Sequence, residues 1–579
     1  MEDTHSEDTH SAGFTRRSIL AAGAAAGATA GLAGIGPGTA AAHGGGATPA
    51  GNLILTNGRI HTMNERDDVV AVLGIRDGEI VYAGDKENKA RQEFAERPRT
   101  IDLGGRTAVP GIIDCHNHIV LMGNRPGRHT PLENAYSIAE VQATVRARAA
   151  GVPAGEFITT IGGFHFNQFS EVRLPTLAEL DAAAPRHPVY LSIGFAGPSV
   201  TNSLGKSFFE NVPGPNGPVV IGADGSIAAG TQTGRATLAL RQALTFDQRK
   251  QSVRDAMAYA VSLGVTTHLD QGAFQATNTP ADGAAHEDNY RMQLPFLSVY
   301  NDGDGIIRLR INFLHMDADP ASAPLGERLR NAFPFFGNDL VRTGGIGEFV
   351  APLPSDPITS GSAANQRWLD AAAKVAQAGW RAEVHSLSPT DFRAEIDGFE
   401  LVHQQFPITD LRWVVAHVPF ITEDYVNKLK ALGGGINVTG WRYLAGTPTA
   451  AGPPYRMLLD NGIPLGMSSD GMQIAPMNPW IHAYYATTGR NALGVAINGD
   501  QLATRPEVVE HYTRSNGWFL GGADENRLGV LAPGWLGDVA VLTADYFNPH
   551  AVSDAGLKNI RSALTVLGGV VVHDTGTVH

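Results

Sequence analysis

Between residues 108 and 470 the chain repeats one pattern, a short apolar run with strand character followed by an amphipathic helical stretch. The runs are AVPGIIDCHNH (108–118), GVTTHLDQ (264–271), IRLRINFLH (307–315), GGIGEFV (344–350), WRAEVHS (380–386), LRWVVAH (411–417), GGINVT (434–439) and IPLGMSSD (463–470). Helical patterns such as 364–378 and 422–432 lie between them. Eight β/α units in series must bury both faces of every strand, which predicts an α/β fold of the (β/α)8 TIM-barrel type. One connection breaks the rhythm: residues 124–245 separate the first and second runs. That is far beyond ordinary loop length. It predicts an inserted subdomain over the C-terminal mouth of the barrel, where loops carry function.

Short β-rich runs at 53–62 and 69–83 precede the repeats, and LGDVAVLT (536–543) and ALTVLGGVVVHD (563–574) follow them. Asn57-Gly58 and Asp77-Gly78 sit between apolar runs, which is hairpin chemistry. Residues 51–109 and 525–579 are therefore expected to form one small β-domain from both chain ends, with 110–524 as the barrel domain. Ahead of these, Arg16-Arg17 precedes a weakly apolar Ala/Gly/Leu stretch that ends in Ala40-Ala41-Ala42. Residues 1–42 resemble a twin-arginine export signal, with cleavage near Ala42 and a secreted or periplasmic destination. The stretch is too rich in glycine for a permanent membrane helix, so no membrane association is expected after cleavage.

Composition narrows the function classes. The net charge of -13 is spread along the chain, which disfavours nucleic acid and anionic membranes as partners. A single cysteine, Cys115, excludes an intrachain disulfide and a cysteine-based zinc site. Twenty histidines leave room for a site of imidazole and carboxylate.

His116-Asn117-His118 ends the first run. Residues i and i+2 of a strand share a face, so both imidazoles can reach one ion. Alone the pair carries little weight, since roughly one H-x-H is expected by chance at this histidine content. Position adds the weight: His385, His417 and Asp470 fall at the ends of the fifth, sixth and eighth runs. Barrel enzymes gather their catalytic groups at these strand ends. Four imidazoles and a carboxylate would be costly to bury together without a cation.

The segments "AVPGIIDCHNH", "AEVHS", "VVAH" and "PLGMSSDG" resemble the metal signatures of the amidohydrolase superfamily. "LTNGRIHTMN" and "IRDGEIVYAGD" resemble its N-terminal β-sandwich. The long insert and "MSSDGMQIAPMNPW" are most similar to its YtcJ-like branch, amidohydrolase family 3. The resemblance implies one or two divalent ions, usually zinc. It implies metal ligation by His116, His118, a fourth-strand acid, His385, His417 and Asp470, with Asp470 also the general base. Many relatives carry a carboxylated lysine on the fourth strand. GGIGEFV has no lysine, and Glu348 is its only acid and the expected ligand. Where the branch often has a Gly-His pair, this chain reads Phe195-Ala196-Gly197-Pro198, so a substrate contact is expected to differ.

Further candidates concern the substrate. Trp441 and Arg442 follow the seventh run, where Arg442 could clamp a carboxylate or simply stack on an aromatic ring. His165, in GGFHFNQF, is a candidate for the cavity wall. Strand alternation predicts that Cys115 faces away from the ligands as a packed small residue. His268 and Asp270 share a strand face; they could support the ligands from behind, but they read first as core hydrogen-bonding groups. The expected activity is hydrolysis of a non-peptide amide bond in a small molecule. An ester or lactone hydrolase, a metal-assisted isomerase or decarboxylase, and a non-catalytic binding or regulatory protein on the same scaffold remain alternatives. A homodimer is compatible with the sequence.

Overall fold

The computed structural model describes residues 50–579 except 126, 195–196, 212–216, 273–291, 318 and 473. The twin-arginine segment and Phe195-Ala196 lie outside the described residues.

Eight short parallel strands build the centre. β1 (Ile112–Asn117), β2 (Val265–Asp270), β3 (Arg308–Phe313) and β4 (Val341–Ile346) form one sheet in the order β4-β3-β2-β1. β5 (Glu383–Ser386), β6 (Val414–His417), β7 (Gly435–Thr439) and β8 (Leu465–Ser468) form a second in simple sequence order. Hydrogen bonds join the two at both edges. Ile346 bridges Ala382 in parallel at one seam. At the other, Asp470 N–H donates to the His116 carbonyl at 2.9 Å and His118 N–H to the Gly471 carbonyl at 2.8 Å. The result is a TIM-barrel-like α/β fold.

Almost every residue of these strands is buried, as expected where helices cover the outer face of a parallel sheet. The helices start at sequence-encoded caps. Ser362 Oγ accepts from Asn365 N at the head of Ala363–Gln377, and Ser388 and Asp391 make a capping box for Pro389–His403. Their apolar faces, with Trp368, Phe399 and Val402, join the outer core around Trp413 and Val415. A smaller cluster of Ile113, Cys115, Leu269 and Val414 fills the inside and is closed from below by Phe519, Leu520 and Leu528.

The chain ends share a six-stranded sheet in which Val539–Leu542 lies antiparallel to Thr107–Pro110. Buried ion pairs tie this part to β3, Arg308 to Asp538 at 2.7 Å and Arg310 to Asp524 at 2.5 Å. Asp77-Gly78 turns a hairpin between Val72–Arg76 and Glu79–Gly84. Asn57-Gly58 does not, contrary to its reading above. Leu53–Thr56 pairs with Val72–Arg76 and Arg99–Asp102, whereas Arg59–His61 joins Thr107–Pro110 in the other sheet. The turn carries the chain from one sheet to the next, because each strand pairs with segments farther along the chain.

The segment between β1 and β2 has its own mixed sheet of five strands, from Arg128–His129 to Ser226–Ile227. It reaches the loops at the C-terminal strand ends. The Glu133 carboxylate accepts from Met477 N–H and, at 3.1 Å, from Asn478 N–H, while Asn167 Nδ2 donates to the Leu444 carbonyl. No helix among the described residues is long and apolar enough to cross a membrane.

Candidate metal centre

Six side chains meet at the C-terminal strand ends. His118 directly follows β1, His385 lies within β5 and His417 ends β6. Asp470 stands two residues beyond β8 with φ of +57°, and His417 has φ of +71°. The left-handed region is uncommon for such residues and is tolerated where the surroundings over-determine it, often at functional sites. β4 ends at Ile346, earlier than the sequence pattern indicates, so Glu348 lies past the strand. Past the strand, its carboxylate is not bound to the side-chain alternation that the sheet imposes.

Glu348 is the hub. Its Oε2 lies 2.9 Å from His385 Nδ1, 3.1 Å from His417 Nε2 and 3.2 Å from His116 Nε2. Its Oε1 lies 3.5 Å from His118 Nε2. Asp470 Oδ1 stands 3.3 Å from His118 Nε2 and 4.0 Å from His116 Nε2. Two ligand-spaced groups result, His116–Glu348–His417 and His116–His118–Asp470, all buried.

The rings are held from behind. His116 Nδ1 bonds Glu383 Oε1 at 2.7 Å, His118 Nδ1 bonds the Gly272 carbonyl at 2.7 Å, and His417 Nδ1 bonds Thr439 Oγ1 at 3.0 Å. Anchoring one ring nitrogen leaves the other to face the centre, as metal-ligating histidines require. Phe349 stacks on His385 with ring centroids 5.2 Å apart. His116 Nε2 and Asp470 Oδ2 are buried without a hydrogen-bond partner, a costly arrangement that a cation would resolve.

The electrostatics agree with that donor set. Burial alone would depress His116, but the carboxylates of Glu348 and Glu383 hold it at about 10. Burial likewise opposes the rise at His118, where Asp470 and Glu348 prevail. Burial would raise Glu348, yet His385, His116 and His118 hold it well below the usual carboxylate range. The pocket demands positive charge, and a divalent ion among imidazoles and carboxylates supplies it.

Several supporting residues lie outside the set that the strand ends mark. Glu383, two positions before His385 on β5, was accessible from alternation. It also accepts from Asn437 Nδ2 and Gln271 Nε2. Asp114 accepts from the Ser469 hydroxyl and from Ser469 N–H at 3.0 Å, which steadies the residue next to Asp470. Burial raises Asp114 to about 6.

Two expectations need correction. Cys115 does not face away from the site. Its Sγ–H bonds Asn437 Oδ1 at 2.8 Å, and Asn437 contacts the same Glu383 oxygen that binds His116. The β1–β2 ladder shifts register between His268 and Asp270, where three steps on β1 match two on β2. Such a bulge breaks alternation and re-aims side chains. Cys115 is packed and inert all the same, since burial pushes its thiol well up. His268 makes no core hydrogen bond: both ring nitrogens are buried without a hydrogen-bond partner, Nδ1 standing 3.9 Å from Asp114 Oδ2, and burial lowers the ring to about 3. Asp270 does bond, accepting from Val120 N–H at 3.0 Å and Gly272 N–H at 3.1 Å.

Of the substrate candidates, Trp441 and Arg442 stand just past β7, and Arg442 is buried. His165 is engaged in its own turn, where Nδ1 accepts from Asn167 N–H at 3.0 Å.

Comparison with known proteins agrees with this architecture. The chain is 22% identical over 563 residues to the putative amidohydrolase YtcJ of Bacillus subtilis (strain 168), covering 89% of this chain and 98% of that one. It is 28% identical over 163 residues to the N-substituted formamide deformylase of Arthrobacter pascens, 27% of this chain and 29% of the relative, so that likeness spans less than a third of either. Among solved structures, an uncharacterized metal-dependent hydrolase from Pyrococcus horikoshii OT3 superposes with a TM-score of 0.56 at 18% identity, covering 87% of this chain and 99% of that one. The zinc complex of atrazine chlorohydrolase TrzN from Arthrobacter aurescens TC1 gives 0.51 at 16%, covering 90% and 95%. At these identities the two structures speak for the fold alone. The family model Amidohydro_3 matches residues 99–573, and the chain belongs to this amidohydrolase family.

Proposed function

We propose that the protein is an exported, metal-dependent hydrolase that cleaves a non-peptide amide bond in a small molecule. The observation that carries the reading is the Glu348 carboxylate, buried within 3.5 Å of His116, His118, His385 and His417. Its two oxygens face different partners, Oε1 toward His118 and Oε2 toward His385 and His417. This favours a centre in which Glu348, together with His116, His118, His385, His417 and Asp470, would hold one or two divalent ions. The supporting architecture is read as a (β/α)8 barrel (110–524) with a β-sandwich built from 51–109 and 525–579.

Zinc suits four imidazoles and two carboxylates. Such an ion, when bound, lowers the pKa of a water molecule toward neutrality and polarises the carbonyl under attack. Asp470 is positioned for the proton. Its Oδ2 has no hydrogen-bond partner and lies 3.8 Å from His417 Nδ1. As general base it takes the proton of the attacking water and passes it to the leaving nitrogen. The resemblance to a formamide deformylase makes N-acyl amines reasonable first substrates. Export rests on the twin-arginine segment.

Elemental analysis of the purified protein, joined to a screen of N-acyl and cyclic-amide compounds in oxygen-18 water, tests the reading. One to two equivalents of zinc per chain and one solvent oxygen in the product are expected. Activity that survives complete chelation, or a product without solvent oxygen, would refute hydrolysis by a metal centre.

A further inference from the structure

Just beyond β7 lies a buried cation that no carboxylate among the described residues answers. Arg442 is 8% exposed, and its Nε is buried without a hydrogen-bond partner. The guanidinium carbon lies 4.0 Å from the Trp441 ring centre and 5.3 Å from that of Phe420. Burial pulls its pKa below the usual arginine value, with only the Tyr485 hydroxyl opposing. Other deeply buried arginines are treated differently. Arg308 and Arg310 each bond an aspartate, and Arg342 bonds Asp524 at 2.8 Å. Burying a guanidinium without its anion is expensive, and aromatic faces offset only part of the loss.

The location gives that cost a use. Thr439, which bonds His417 Nδ1 at 3.0 Å, is three residues before Arg442. Three residues span at most about 11 Å of chain. Phe420 is likewise three residues beyond His417, and it is 37% exposed. The backbone of Arg442 therefore lies within about 11 Å of Thr439, the residue that braces His417 from behind. The insert braces the short helix Arg442–Ala445 through the Asn167–Leu444 hydrogen bond. Aromatic rings occupy the guanidinium's neighbourhood but accept little at its N–H edge, which is the edge that matches a carboxylate in two parallel hydrogen bonds.

We infer that Arg442 anchors a carboxylate group of the substrate, so that the amide cleaved at the metal centre belongs to a molecule carrying a free acid. The substrate assignment rests on the hydrolase reading, whereas the anion site itself does not. Neutral amides of similar size would lack this anchor and bind weakly.

Benzoate and benzamide serve as a matched pair of probes, differing in charge and not in shape. Their binding to the purified, metal-loaded protein is measured by titration calorimetry or ligand-observed NMR, beside Arg442→Gln and Arg442→Lys. Metal content and thermal unfolding are recorded for each variant. Wild type should bind benzoate at least tenfold more tightly than benzamide. Arg442→Gln should lose that preference with its metal retained, and Arg442→Lys, which keeps the charge without the fork, should keep part of it. Equal binding of the two probes by wild type, or an undiminished benzoate preference in Arg442→Gln, overturns the assignment. If the Gln variant does not fold, the Lys variant decides: a preference identical to wild type counts against the fork. Because binding is read without turnover, failure of the hydrolase reading and failure of the anion site are separate results.

Discussion

Glu383 Oε1 lies 2.7 Å from His116 Nδ1, and the same oxygen accepts from Asn437 Nδ2 at 2.8 Å. The carboxylate fixes the ring so that Nε2 faces Glu348, and it adds negative charge behind a ligand. Glu383→Gln should therefore weaken metal binding by roughly 10–100-fold. The check is a competitive zinc titration. Unchanged affinity would mean that His116 needs no such support.

Asp470→Asn separates ligation from proton transfer. Asparagine keeps the size and one acceptor oxygen but takes up no proton near neutrality. Much of the metal should stay, held by the histidines and Glu348, while turnover falls by roughly 10²–10⁴-fold. The acidic limb of the pH–rate profile should flatten. A metal-loaded variant with near wild-type turnover would remove the base assignment.

Cys115→Ala should leave metal content intact. It deletes the Sγ–Asn437 bond and opens a small void beside Leu269 and Val414, for a loss of about 1–2 kcal/mol in denaturant unfolding. Loss of metal in this variant would show that the thiol takes part in the centre.

Glu133 links stability to pH. Burial raises its carboxyl to about 7, although Tyr259 and the backbone of Met477 and Asn478 donate to it. The folded state thus holds this proton more tightly than the unfolded chain, whose glutamate titrates near its ordinary value of about 4.3. The stability it contributes is fully present below that value and is lost as pH rises toward 7. In Glu133→Gln this part of the slope between about pH 4.5 and pH 7 should vanish. Unfolding midpoints of wild type and variant across that window test it, and parallel curves would contradict it.

Replacing Arg16 and Arg17 with lysine should hold a folded, metal-loaded protein in the cytoplasm. Fractionation with an activity or metal assay reads the outcome, and unchanged secretion would make the arginine pair incidental.

The repeating strand–helix pattern and the placement of His116, His118, His385, His417 and Asp470 were legible along the chain. Both depend on local signals: apolar runs of strand length, and chemistry-bearing residues at their ends. What depended on partners was not legible. The bulge in β1 lets Cys115 and His116 face the same side, because ladder register is set jointly by two strands. Asn57-Gly58 joins two sheets instead of closing a hairpin, since each flanking strand pairs with a segment distant in sequence. Glu348 reaches four imidazoles only because β4 ends at Ile346. The isolation of Arg442 and the grip of Glu133 on the loop after β8 depend on which residues stand nearby in space. Local periodicity decides which segments become strands. Register, bulges and the partners of buried charges are settled by long-range packing, which a one-dimensional pattern does not encode.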